Sequence, residues 1–376
     1  MTRQPYTIDT ITAEDEVLHL QEDWNRLSLA SDSPNVFMTF DWFQAWYQRL
    51  VRQEGSGRHR SNILVLRKNG TVTGISPLIQ TISSRFGFSL RRLQFLAREH
   101  EWDYNDLVLG SDMEEQTEAI VNFLNHTSKE WDLIDLRDLR DTGGRIARIE
   151  STLTRAGLSY HLLPEQEKCP YMPIDGPWSE MSNRHSRSTR RVYHGLIEMT
   201  RKGLKVRIVE DPQKEPQLLE RLIAIEAQKH VGGKPSPPFL GKYPEVFQLL
   251  FDTLGPRGWI SVVLLEWKDR LVAWQLLYRC GKSLWGYLTA YDHHFSSLSP
   301  GTMLIPMVID YGFTHGFDEF DFLNGEESYK MRWSTGYHQT YRLLIWNRRW
   351  FSRLCARAYF KLRVRPLASS LAERST

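Results

Sequence analysis

The chain is poor in cysteine, in long apolar runs and in charge of one sign, and each shortage removes a class of protein. Its only cysteines are Cys169, Cys280 and Cys355 in 376 residues. Their odd number and wide spacing exclude a disulfide framework and a cysteine-rich zinc site, and suit a reducing compartment. No uncharged apolar run approaches the roughly 18 residues that would read as a bilayer-spanning helix. The opening MTRQPYTIDTITAEDE has no apolar core and carries acids early, unlike a signal peptide. The expected location is the cytoplasm, or the inner face of a membrane. A net charge of +3 is too small to argue for nucleic acid, so DNA is not an expected partner. What remains is a globular composition, 41% hydrophobic and 25% charged, on a chain long enough for two domains.

The most informative stretch is Tyr287–Trp333, which reads as strand, Ser-Pro-Gly loop, helix, strand and then a cluster of polar residues. Phe317, Phe320 and Phe322 interleave with Asp318 and Asp321, as at a strand end meeting solvent. Ser299 is placed to cap the helix, Pro300 fits its first turn, and Gly301 lets a ligand approach the backbone. Free N–H groups at such a helix start bind anions.

The same layout occurs earlier in the chain. Ile63–Ile79 reads as a hairpin turning at Lys68-Asn69-Gly70, and Val262–Tyr278 aligns beneath it without a gap, 199 residues on. WDLIDLRD at Trp131–Asp138 matches FDEFDFLN at Phe317–Asn324, 186 residues on, each after a helix pattern (Glu114–Ser128 and Thr302–Thr314). Two ordered matches indicate an internal duplication. The expected division is a first domain over 1–175, a basic linking helix over 176–203, a second domain over 204–349 and a tail helix over 350–376. The first domain has helices at Asp15–Ala30 and Phe40–Val51; the second has them near Pro216–His230 and Pro244–Leu254. Gly232–Pro238 is too rich in Gly and Pro for either regular element and reads as a loop beside the second domain's site.

SPGTML…YGFTHGFDEFDFLNGEESYKMRW resembles the BioF2-like, or CelD-like, acetyltransferase group of the GNAT superfamily, related to the FemAB aminoacyltransferases. VFMTFDWFQAWYQRL, GISPLI and LQFLAREHEWDYNDLVL resemble the group's opening half, so the resemblance spans Val36–Asn347. It implies an α/β (α+β) fold of tandem duplicated GNAT-like domains with mixed central sheets. The implied activity is acyl transfer to an amine from acyl-CoA (acetyl-CoA) as co-substrate, with no metal. The donor pyrophosphate is expected at Ser297, Ser299, Gly301 and Thr302. This loop holds one glycine and no basic residue, where the common form is Q/R-x-x-G-x-G/A. That difference leaves an aminoacyl-tRNA donor, or an accessory protein of a polysaccharide-assembly complex, as alternatives to an enzyme of envelope or exopolysaccharide synthesis.

N-acyl transfer needs a neutral amine, a route for its proton and a proton for the leaving thiolate. Asp321, Glu326 and Glu327 lie at or just past the end of the last central strand, where ligands gather in open α/β sheets, and each is a candidate to take the ammonium's proton directly or through water. Tyr329 is the candidate acid for the thiolate, and Lys330 the candidate partner of a phosphate or buried carboxylate. Asp103, Tyr104 and Asp106, with Tyr291 and Asp292, are expected to line an acceptor cleft. Each has a plainer role open to it as a turn, strand-end or helix-end residue. Arg184, Arg187, Arg190, Arg191 and His194 form a basic run that is either a solvated face or a contact for a phosphorylated ligand. Glu226 and His230 are an i, i+4 pair read as structural. Arg349, Arg353, Arg357 and Lys361 recur every fourth residue beside Trp350, Phe351, Leu354 and Tyr359. That tail pattern suits either packing on the second domain or an anionic membrane surface.

Overall fold

The structure is a computed structural model that describes residues 5–31, 34–54, 59–85, 88–96, 103–165, 167–228, 230–231, 234–235, 239–347 and 349. Two compact units emerge: Met1–Glu167 with the segment from Gln339 onward, and Lys168–His338.

Each unit is built on one mixed sheet. In the first, the strands run in the order Tyr6–Ile11, His59–Lys68, Thr71–Arg85, Phe88–Phe95, Leu133–Arg140, Thr340–Trp346 and Ser159–Pro164. In the second the order is Leu204–Val209, Ile260–Trp267, Arg270–Cys280, Ser283–Tyr291, Glu319–Asp321, Cys169–Pro173 and Gly336–His338. In both, the fourth and fifth strands are parallel and every other neighbour along the order is antiparallel. A parallel pair needs a long crossover, and in each unit a helix supplies it, Met113–His126 or Pro300–Thr314.

The duplication holds residue by residue. Leu66 faces Gly74 and Arg67 faces Val72, with a bulge between; 199 residues on, Leu265 faces Ala273 and Glu266 faces Leu271, with the same bulge. Both turns use two left-handed residues, Asn69 and Gly70 (φ 53° and 82°) against Lys268 and Asp269 (47° and 61°), as a tight hairpin with right-handed strand twist requires. The 186-residue offset holds as well. Leu93 pairs with Ile134 and Gln94 with Asp135, as Leu284 pairs with Phe320 and Trp285 with Asp321.

The sixth strand breaks the sequence order. Cys169–Pro173 follows the first unit's last local strand yet lies in the second sheet, while Thr340–Trp346 returns to the first. The observed units therefore differ from the expected division at 175 and 349, and Trp178–Met181 and Arg187–Arg201 belong to the second unit rather than to a linker. The expected continuous helix here is broken by a turn, and Ser186 starts the longer piece by accepting from the Thr189 N–H. Asp15–Ala30 is likewise two helices, Glu14–Leu18 and Gln21–Ala30. The tail helix expected over 350–376 lies outside the described residues.

Each sheet carries its own core. In the first unit, Leu64, Leu78, Ile134 and Leu343 from the sheet pack with Ile120 and Leu124 of the crossover helix. In the second, Pro300–Thr314 is apolar nearly all round and buries Met303, Leu304, Ile305, Val308 and Ile309 against Val263, Leu277 and Phe320. Gly312 permits that approach, since a Cβ there would lie 2.6 Å from the Ile174 side chain and 2.9 Å from that of Leu284.

Candidate functional site

The parallel pair of the second unit is short. Ser283–Trp285 runs beside Glu319–Asp321, and past Trp285 and Asp321 the ladder ends. The first strand continues to Tyr291, while the other turns into the loop before Ser328–Trp333. Gly286 stands at the parting. A Cβ there would lie 2.7 Å from the Gln275 amide and 2.8 Å from the Phe320 ring. We expect Gly286→Ala to lower stability by about 1–3 kcal/mol through overpacking, read as a lower urea midpoint; an unchanged midpoint would show that the two side chains yield.

The Ser-Pro-Gly loop follows the long strand through the turn His293–Leu298. Ser299 precedes the helix in a left-handed conformation, φ 52°, and its side chain caps nothing, contrary to the expected cap. Its carbonyl instead accepts the N–H groups of Thr302 and Met303 (3.0 and 3.3 Å) and the Thr302 hydroxyl (2.8 Å). Pro300 has no N–H. Among the described residues of this first turn, Gly301 alone keeps a free N–H, so the anion-binding capacity of a helix start is small here. Ser297 and Ser299 are exposed, and Gly301 lies beside the exposed ring of Tyr291, 3.5 Å from a built Cβ.

Asp292 is fully buried and engaged. Its carboxylate accepts from the His294 N–H (3.0 Å), meets His294 Nδ1 at 2.8 Å and pairs with Arg270 at 2.5 Å. Burial raises its pKa, but His294 and Arg270 outweigh burial and hold it below the ordinary value. It caps the turn His293–Leu298.

Past Asp321 the chain winds around an ammonium. Leu323 and Gly325 take φ of 59° and 117°, and the loop brings the Asn324 carbonyl to 2.6 Å from Lys330 Nζ. Glu327 lies at 3.0 Å on the other side. A Cβ on Gly325 would meet the Glu327 carboxylate first and Lys330 Nζ at 3.0 Å, so glycine is required by the φ and by this ion pair. Lys330 is buried, 7% exposed. Tyr329 packs against the core, and burial followed by the charge of Glu327 pushes its hydroxyl well above the ordinary pKa. It is therefore a proton carrier at neutral pH. Glu326 is half-exposed, 3.9 Å from Lys168.

Asp321 is fully buried, with Oδ1 accepting from the Leu323 N–H at 2.7 Å. Its other oxygen faces His338 Nε2 at 3.9 Å, and Glu319 Oε2 meets the same nitrogen at 3.2 Å. Glu319 and His338 were not among the expected residues. The i, i+2 spacing of Glu319 and Asp321 on one strand was available as a signal, whereas His338 comes from a strand two places away in the sheet.

In the first unit, the candidates separate. Tyr104 is buried under Arg140 (5.0 Å) against Phe37, and Asp106 is ion-paired with Arg145; both are engaged in packing. Asp103 lies near Asp138, a half-buried residue of left-handed φ (56°). Burial, then the carboxylates of Glu165 and Asp103, push the Asp138 carboxyl well above the ordinary range. Burial also raises Glu165, against the pull of Arg137 and Arg342.

On the second unit's helix Arg187–Arg201, Arg187, Arg191 and His194 are exposed, Arg190 is half-buried, and none of the four pairs with a described acid. The side chain of Arg184 lies outside the described residues. Glu226 accepts the N–H groups of Phe239 and Leu240 (2.9 and 2.8 Å), a helix-start role consistent with a structural reading. The His230 side chain and most of Gly232–Pro238 lie outside the described residues.

Two like sheets, each with one parallel pair that a crossover helix joins, define a tandem GNAT-like fold. Residues 183–331, within the second unit, match the family described as "Acetyltransferase (GNAT) domain". FemX shares the fold over 90% of this chain and 96% of its own at 12% identity, TM-score 0.62. A conserved protein of unknown function from Bacteroides thetaiotaomicron covers 91% and 100% at 8% identity, TM-score 0.55. The C-terminal domain of a putative lysylphosphatidylglycerol synthetase from Agrobacterium fabrum covers 93% and 97% at 11% identity, TM-score 0.52. No curated protein sequence matches this chain significantly. Among the described residues no helix is long and apolar enough to cross a membrane.

Proposed function

We propose that this protein is an N-acyltransferase that moves an acyl group from acyl-CoA to an amine. The observation that carries the reading is the parting of the parallel strands after Trp285 and Asp321, beside a helix that begins at Pro300. Parted strands leave backbone groups unpaired, and an extended thioester arm of amide groups is a natural partner for them. The amine attacks the thioester carbonyl and the carbon–sulfur bond breaks. The nitrogen loses a proton to Asp321, directly or through water, and Tyr329 gives one to the departing thiolate. Lys330 places a fixed positive charge beside the loop where negative charge develops. Glu326, half-exposed, belongs to the rim. The acceptor is an amine of an envelope or exopolysaccharide building block, as in the BioF2-like and CelD-like group that the SPGTML and SYK segments resemble. The protein acts in a reducing, cytoplasmic setting, and its tail touches the inner membrane face.

A second reading, an aminoacyl-tRNA donor as in FemAB-like enzymes, is favoured by the single free N–H at Gly301 and by Arg187, Arg190 and Arg191, none of which pairs with a described acid. A thermal-shift panel separates the two. Stabilisation by acetyl-CoA or longer acyl-CoAs supports the first. Salt-sensitive stabilisation by charged tRNA alone supports the second. No response to either leaves an accessory protein without donor binding and overturns both.

A further inference from the structure

We infer that Glu319, Asp321 and His338 form a binding site for a divalent transition-metal ion in the second unit. One ligand atom from each lies within 4.8 Å of the other two, close enough for one ion to bind all three after small side-chain shifts. Glu319 and Asp321 project from the same face of one strand, two residues apart. His338 reaches them across the intervening strand Cys169–Pro173, its ring stacked on Tyr171 at 4.3 Å and 12°.

The outer contacts already aim the inner atoms. Ser283 Oγ donates to Glu319 Oε1 at 2.7 Å, and the Leu323 N–H donates to Asp321 Oδ1 at 2.7 Å. Each carboxylate thus keeps its second oxygen, Oε2 or Oδ2, turned towards His338 Nε2. Metal sites orient their ligands in this way, through partners that hold the far atom of each ligand. One imidazole and two carboxylates suit Zn2+, Mn2+ or Fe2+ and leave coordination positions for water.

The duplication provides an internal contrast. The first unit has Leu133 where the second has Glu319, and Asp135 where it has Asp321. There the buried aspartate takes a guanidinium, with Arg342 on both oxygens at 2.9 Å. The second unit surrounds the equivalent carboxylate with a further acid and a metal-binding imidazole, so cationic charge is supplied in a different form.

The test uses the full chain after dialysis against a chelator, titrated calorimetrically with ZnCl2, with Co2+ visible absorption as a second readout. Wild type is expected to bind one equivalent. His338→Gln and Glu319→Gln are expected to weaken binding by about 100-fold or more. Ser283→Ala, which keeps all three ligands, should weaken it by about 10-fold, as loss of an outer partner does. Absence of binding by wild type overturns the site, as does undiminished binding in both ligand variants, which would place the ion on exposed histidines such as His293 and His294. An ion bound here would make Asp321 a ligand and remove it as acceptor of the amine's proton, whereas failure of the ion to bind leaves that role and the donor test untouched.

Discussion

Lys330→Ala is expected to lower acyl transfer by about 10²–10³-fold, the loss typical of removing one fixed donor from developing negative charge. The ammonium is buried, and the chain holds it with the Asn324 carbonyl at 2.6 Å and Glu327 at 3.0 Å. Two residues of left-handed φ, Leu323 and Gly325, shape the loop around it. A leucine in that region is strained, and such strain persists only where the surrounding contacts hold it in place. The structural cost of the substitution is separate and smaller, about 1–3 kcal/mol for the abandoned Asn324 carbonyl. Lys330→Arg should not restore activity, because a planar guanidinium does not reproduce the point charge that the Asn324 carbonyl and Glu327 hold at Lys330 Nζ. The measurement is single-turnover release of free CoA thiol, with donor affinity and melting temperature followed in parallel. Retained donor binding with lost turnover supports the assignment. Turnover within about threefold of wild type removes Lys330 from the chemistry.

Much of this architecture is legible in the sequence because it is local and repeated. The hairpins at 63–79 and 262–278 align without a gap, since both keep the same two-residue turn and the same bulge. WDLIDLRD and FDEFDFLN carry Asp135 and Asp321 to equivalent register positions. The exchange of the sixth strands is not legible: Cys169–Pro173 and Thr340–Trp346 pair with strands of the other half of the sequence, and local pattern contains no term for that choice. The site follows the same division. Lys330 and Asp321 are visible in their motif, but His338 reaches Asp321 only through the strand order. Asp292 and Asp106 were expected to line an acceptor cleft because Asp292 closes a central strand and Asp106 lies at the corresponding level of the first half. Tertiary partners from outside those turns, Arg270 and Arg145, engage them instead. Ser299 has the residue type of a cap but the wrong backbone conformation, which the following proline alone does not reveal.

Arg342→Ala should be among the most destabilising single changes in the first unit, costing about 3–5 kcal/mol, because it removes one member of a buried pair. Arg342 and Asp135 are both almost inaccessible and bonded through two parallel contacts at 2.9 Å. Arg342 also sits on the last described strand, which pairs with Leu133–Arg140 on one side and Ser159–Pro164 on the other. Burial alone would raise the Asp135 pKa. The hydrogen bonds and charge of Arg342, then Arg137 and Arg92, more than offset it and hold the carboxyl below its ordinary value. A carboxyl with a depressed folded pKa contributes stability that is present above its unfolded value, near 4. That contribution is lost as pH falls through the lower folded value. Wild type should therefore keep this contribution from pH 7 down to about 4 and lose it only in stronger acid. Without Arg342, burial opposes only the more distant Arg137 and Arg92 (3.9 and 4.0 Å), and the carboxyl takes up a proton on folding. The stability of Arg342→Ala should then rise as pH falls from 7 towards 5, opposite to wild type at its acid end. Urea unfolding at pH 7, 6 and 5 measures this. Equal pH slopes in the two proteins, with a loss under 1 kcal/mol, would show that Asp135 does not depend on Arg342 for its charge. Replacing both partners by leucine should recover most of the loss, since a buried pair exchanged for apolar side chains leaves no stranded charge.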